Sequence, residues 1–215
     1  MNNKVLYMEE KDLYSEISSI RNLMERSTRF ISLSGLSGVM AGVYALIGAG
    51  IAYKLIYLKN DTDLLTYSYQ TDIIRLFLVA ILVLIFSVGT GVWLTVRKAR
   101  RKGQSVWNQS SQSFLKSGAL PLVTGGCFVL LLFMQGRFGI IAPGCLIFYG
   151  LALVSAGQHT YGDVKWLGLC EIALGLLATV LPGYGLLFWA FGFGVLHIVY
   201  GSAMHFKYDR ENNAN

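Results

Sequence analysis

Residues 73–96 read IIRLFLVAILVLIFSVGTGVWLTV, and the basic run RKARRK follows at once over residues 97–102. A helix rises about 1.5 Å per residue, so about 20 apolar residues cross a hydrocarbon core about 30 Å thick. The run carries a single charge, Arg75. Beyond Arg75 it is nearly continuously apolar, whereas a barrel strand alternates apolar and polar residues over about 10 positions. It therefore predicts a transmembrane helix that ends against a cytoplasmic basic cluster.

Five further segments repeat this character on either side, at about Phe30–Tyr53, Ser117–Met134, Phe138–Ala156, Val164–Leu181 and Tyr184–Phe206. The expected fold class is all-α, a polytopic membrane helical bundle with six transmembrane helices. Composition agrees with that reading. Of 215 residues 54% are hydrophobic and 14% charged, against about 25% charged in a soluble domain. The 24 Gly against 3 Pro suit helices that approach closely in lipid. A formal charge of +6 raises nucleic acid as a partner, but the basic residues fall between apolar runs and no recognition fold accompanies them, so none is expected. The bilayer is the expected partner.

Orientation follows from the Lys and Arg near the segment ends. With both termini inside, 14 of the 18 lie on the inner side, leaving Lys54, Lys59, Arg75 and Arg137 outside. The arrangement is N-in, C-in, in a bacterial cytoplasmic (inner) membrane. Residues 1–29 form a cytoplasmic amphipathic segment, 30–206 the six-helix transmembrane domain and 207–215 a cytoplasmic tail. In the first of these, Leu13, Ile17, Ile20 and Met24 share a helix face with charges on the others, the pattern of an interfacial helix. Because about 29 polar or amphipathic residues precede the first apolar run, that run reads as a retained anchor and not as a signal peptide.

Gln135-Gly136-Arg137 and Pro182-Gly183 are long enough only to turn the chain, so each joins an antiparallel hairpin. The returning helices open similarly, with Phe138-Gly139-Ile140-Ile141 in one and Tyr184-Gly185-Leu186-Leu187 in the other. That likeness suggests a parallel internal repeat.

Small residues recur at four-residue intervals, as Ser34, Gly38 and Gly42 beside Ala41, Ala45 and Ala49, and as Ser87, Gly91 and Thr95. Such stripes let backbones approach, within the bundle or between subunits, so a homo-oligomer or a membrane partner is an alternative. Arg97, Lys98, Arg100, Arg101 and Lys102 read first as a stop-transfer anchor and second as contacts for anionic lipid.

Glu171 stands out inside the fifth segment, since an ionised carboxylate at that depth costs about 2.5–3.5 kcal/mol on insertion scales. His197 in the sixth segment lies at a matching depth below the same surface. The two can meet as an intramembrane polar pair. Its bland role is an interhelical hydrogen bond, worth about 0.6 kcal/mol on average in membrane proteins. Its sharper role is a proton relay or substrate site.

His159, Asp163 and His205 share the inner side without the spacing of a metal motif, and no metal or cofactor is expected. Asp61, Asp63 and Asp72, with Tyr67 and Tyr69, suit a solvated outer loop. Cys127, Cys145 and Cys170 lie in apolar segments without a CxxC pair and are expected to be reduced, buried and inert. There is no GxSxG, no phosphate loop and no Cys-His arrangement, so the chain is not expected to be an enzyme.

The stretch Met24-Glu25-Arg26-Ser27-Thr28-Arg29-Phe30-Ile31-Ser32-Leu33-Ser34-Gly35, with the glycine-rich span after it, resembles uncharacterised bacterial multi-pass membrane proteins of this length. The turned hairpins over the last four segments are loosely similar to acid-resistance membrane proteins of the HdeD type. Neither resemblance implies a site. The expected role is that of a non-enzymatic structural, stress-related or regulatory membrane component; the alternative is a small proton-coupled transporter or channel using Glu171 and His197.

Overall fold

The computed structural model describes residues 34–58, 69–101, 106–107, 109–160 and 162–209, and the segment 1–29 lies outside them. Among the described residues every regular element is helical. In chain order these are α1 (Gly35–Tyr57), α2 (Tyr69–Arg101), α3 (Gln109–Met134), α4 (Ile141–Ala156) and α5 (Gly162–Val180). The last helix, α6, starts as α-helix over Gly185–Trp189 and widens to π-helix over Ala190–Leu196. It returns to α over His197–Met204 and ends in a π segment, His205–Asp209. Five stretches are long and apolar enough to cross a membrane: Gly35–Tyr57, Asp72–Arg101, Gln109–Met134, Phe138–Ala156 and Gly185–Lys207. α5 has the length, but it holds Asp163, Lys165 and Glu171 within its 19 residues.

The two short connections turn as their residues require. Gly136 (φ +70°) and Gly183 (φ +94°) are the only described residues in the left-handed region, where a missing β-carbon removes the steric penalty. At the first turn Arg137 N–H bonds Leu132 C=O (2.9 Å) and Gly136 N–H bonds Phe133 C=O (3.1 Å). This is the Schellman pattern that satisfies the last carbonyls of α3. The starts of the returning helices are neighbours, since a β-carbon on Gly185 would lie 3.4 Å from that of Ala142.

Glycines decide which helices come closest, and these are not all partners in the sequence hairpins. α4 and α5 cross with their backbones in near contact: a β-carbon on Gly150 would lie 2.6 Å from Gly168 O, and one on Gly168 would lie 2.7 Å from Gly150 O. α6 crosses α1 in the same way, with Gly201 facing Val39 N at 2.5 Å and Gly35 O at 2.6 Å, and Gly42 facing Gly194 O at 2.6 Å. α3 lies against α4 through Phe128 and Phe148, whose ring centroids are 5.4 Å apart. α2 takes an outer place. Its Val83 covers Gly48 of α1 and its Phe77 meets Phe133 of α3 at 4.7 Å, while Leu78, Leu82, Leu84, Ile85, Phe86 and Val92 are exposed.

Cys127 and Cys170 are also exposed on the bundle surface, and only Cys145 is half-buried, so burial within the protein is not what their apolar context meant. A thiol behaves as a small hydrophobe and suits a lipid-facing position equally well. Asp72 is another departure: it sits buried in the first turn of α2, 3.9 Å from Arg75, instead of in a loop. Asp61, Asp63 and Tyr67 lie outside the described residues.

Candidate functional site: a buried carboxylate beside an imidazole and a phenol

Glu171 is the central residue of the 19 in α5. Its side chain is 0% exposed, enclosed by α4 and α6. Leu146 of α4, itself fully buried, and Gly192 of α6 form part of its wall. A β-carbon on Gly192 would lie 2.5 Å from Glu171 Oε2 and 2.6 Å from Leu146 Cδ2. Glycine at 192 is thus what lets the carboxylate fit.

His197 is 5% exposed, and its Nδ1 lies 3.4 Å from Glu171 Oε1. The two are adjacent but not hydrogen-bonded, because the ring hydrogen is directed elsewhere. Nδ1 donates to Gly192 C=O at 3.0 Å, and neither Glu171 oxygen has a hydrogen-bond partner among the described residues. The 3.4 Å separation is therefore an electrostatic contact.

Tyr149 of α4 completes the cluster, with its hydroxyl 2.9 Å from His197 Nε2. A carbonyl can only accept, so the Gly192 bond places a hydrogen on Nδ1. In the neutral ring Nε2 then accepts from the tyrosine O–H. Both ring nitrogens are satisfied while both carboxylate oxygens are not, and a buried polar group without a partner costs about 1–3 kcal/mol. Aromatic rings set the imidazole plane: Phe193 stacks on it at 5.8 Å and 23°, and Tyr149 lies 5.4 Å away.

The π segment Ala190–Leu196 ends immediately before His197 and contains Gly192. π-helical turns are rare and occur often at functional sites. Here the widened turn brings the Gly192 carbonyl to its own helix's imidazole five residues on, while Gly192 also touches the carboxylate of α5.

Of the residues singled out in sequence, Glu171 and His197 are brought together. Tyr149 and Gly192 are the members that sequence reasoning missed. A tyrosine inside an apolar segment, away from either of its ends, was the available signal, since its hydroxyl needs a partner there. The small-residue stripes divide. Gly38 and Gly42 face α6 closely, and Ser34 is the half-buried N-cap of α1. Gly91 has open space where a β-carbon would stand, and Ser87 is half-buried, its carbonyl near Thr90 Oγ1 (3.3 Å).

At the end of α2, Arg97, Arg100 and Arg101 are exposed and Lys98 is half-buried, while Lys102 lies outside the described residues. The Arg97 guanidinium lies 5.3 Å over the exposed Trp93 ring. Asp163, imagined as a metal ligand, instead pairs with Lys207 Nζ at 3.0 Å and joins the start of α5 to the end of α6. Among the described residues no three His, Cys, Asp or Glu side chains are grouped to hold a metal. Compared with protein-family profiles, curated proteins and solved structures, the chain matches none.

Proposed function

We propose that this chain is an integral membrane protein of a bacterial cytoplasmic membrane, with six crossings and both ends inside, and that it works as a small proton-coupled transporter or channel. Insertion is supported by the five long apolar helices and by the outward apolar surface of α2. α5 is the sixth crossing, tolerated because Glu171 is shielded by α4 and α6 while Asp163 and Lys165 sit in its first turn, at the membrane edge. Trp93, Trp107 and Trp166 are exposed close to the inner ends of α2, α3 and α5, as expected of aromatics at an interface.

The observation that carries the functional reading is Glu171, wholly enclosed at the middle of α5 with neither oxygen hydrogen-bonded among the described residues. An interhelical bond to His197 would have made the carboxylate a structural element. The imidazole instead spends its hydrogen on Gly192. Intramembrane carboxylates mark ion and proton pathways, and breaks in helix regularity accompany such sites. The close packing of Gly192 and Leu146 about the carboxylate makes a proton the ligand we propose.

The non-enzymatic structural or regulatory reading draws on the glycine crossings, which make a tightly locked bundle. One assay separates the two. Purified protein in proteoliposomes containing a pH-sensitive dye is given a pH gradient, and proton flux is compared with that of Glu171→Gln and His197→Ala. Flux lost in both variants supports the proton-coupled function; flux equal in all three proteins returns the structural one.

A further inference from the structure

We propose that Tyr149 is the positioning residue of this proton site. By donating its O–H to Nε2 it holds His197 in the tautomer that carries hydrogen on Nδ1, the nitrogen beside the carboxylate. The inference rests on the reading of Glu171 as the proton site and adds what governs it.

Imidazole has two neutral tautomers, and the hydrogen bond made by one nitrogen decides which atom the other presents. In this cluster both nitrogens are engaged from fixed directions. Gly192 C=O, held by the π turn, accepts at Nδ1, and Tyr149 of α4 meets Nε2 at 2.9 Å. Phe193 and Tyr149 fix the ring plane, and the two hydrogen bonds decide which edge of that plane faces the carboxylate. Nδ1, whose hydrogen goes to Gly192, is left 3.4 Å from Glu171 Oε1.

That geometry gives the carboxylate a positive edge to face when it holds charge. The opposite tautomer would turn a lone pair toward both Gly192 C=O and Glu171. The titratable groups presented to Glu171 are Tyr149 from α4 and His197 from α6; on α5 itself Asp163 and Lys165 lie about two turns away, toward its start. α1 packs on α6 through Gly35, Gly38 and Gly42. Tyr149 is thus the one group besides the backbone carbonyl that selects the tautomer.

The test uses the full chain in lipid bilayers with ¹⁵N-labelled histidine, and the His197 signals are identified by their loss in His197→Gln. Solid-state NMR separates protonated from unprotonated ring nitrogens. Wild type is expected to show a protonated Nδ1 and an unprotonated, hydrogen-bonded Nε2. Tyr149→Phe, which keeps the ring and removes the hydroxyl, is expected to weaken the preference for that tautomer roughly fivefold, the weight of one net hydrogen bond.

Phe193→Leu loosens the stacking and leaves the hydroxyl in place, so it should keep the wild-type tautomer. A protonated Nε2 in wild type overturns the proposal, as does an unchanged tautomer in Tyr149→Phe or an equal change in Phe193→Leu. Infrared detection of a Glu171 carboxylic-acid band, removed by Glu171→Gln, is recorded on the same samples. Absence of that band at every pH overturns the proton-site reading instead, whatever the histidine signals show.

Discussion

Gly192 in α6 stands against Glu171 in α5 so closely that a β-carbon on it would lie 2.5 Å from the carboxylate Oε2. Leu146 blocks the other direction at 2.6 Å, so neither wall can yield without a rotamer change. Overpacking of this kind costs about 1–3 kcal/mol. Gly192→Ala is expected to lower thermal stability in detergent by that amount and to abolish proton flux, read in the same proteoliposomes. Wild-type flux with an unchanged melting temperature would show that the contact is slack.

Replacing the carboxylate itself should act in the opposite sense on stability. Because neither oxygen of Glu171 is hydrogen-bonded among the described residues, removing both relieves an unsatisfied buried group, about 1–3 kcal/mol. Glu171→Met keeps the volume and is expected to raise thermal stability while eliminating flux. Stability and function would then trade against each other at one residue, as at many strained sites. A destabilised Glu171→Met would show that the carboxylate is bonded in the folded protein and structural.

Cys127 and Cys170 are exposed on the surface of α3 and α5, and Cys145 is half-buried in α4. In a bilayer the first two face lipid. Maleimides react with the thiolate, which apolar surroundings disfavour, so a charged, water-soluble maleimide added to intact vesicles should label none of the three, whereas all three should react once the protein is unfolded in denaturing detergent. Rapid labelling of Cys127 and Cys170 by the water-soluble reagent would contradict membrane burial of both helices.

Apolar runs, turns and the polar pair were legible in sequence because each follows from a local rule. Span length identifies the apolar runs, the permissive backbone of Gly136 and Gly183 identifies the turns, and equal depth along hairpin partners brought Glu171 to His197. Helix pairing was not legible. In lipid every face of a helix is apolar, so no amphipathic stripe says that α1 lies on α6 or that α5 lies more closely on α4 than on its hairpin partner. The Ser87–Gly91 stripe shows the same limit, since its spacing matches that of Gly38–Gly42 and yet only the latter has a neighbouring backbone. Tyr149 and the π turn escaped because a lone phenol in an apolar run does not say which helix its hydroxyl will meet, and because the extra residue in a widened turn leaves no mark on hydropathy.

That same contrast supplies a paired test of helix packing. Gly201 of α6 faces backbone atoms of α1, with Val39 N at 2.5 Å, Gly35 O at 2.6 Å and Gly38 C at 2.9 Å from where a β-carbon would stand. Backbone cannot rotate aside as a side chain can, so Gly201→Val must push the two helices apart and forfeit the dispersion contacts that hold them in lipid. It is expected to cost at the top of the range of about 1–3 kcal/mol for overpacking. At Gly91 a β-carbon meets nothing within 4 Å, and there alanine should only stiffen the helix, neutral or stabilising by about 0.5–1 kcal/mol. Thermal unfolding of both variants in one detergent measures the difference. Equal melting temperatures would mean that α1 and α6 do not cross at Gly201, and destabilisation by Gly91→Ala would mean that α2 has a partner on that face.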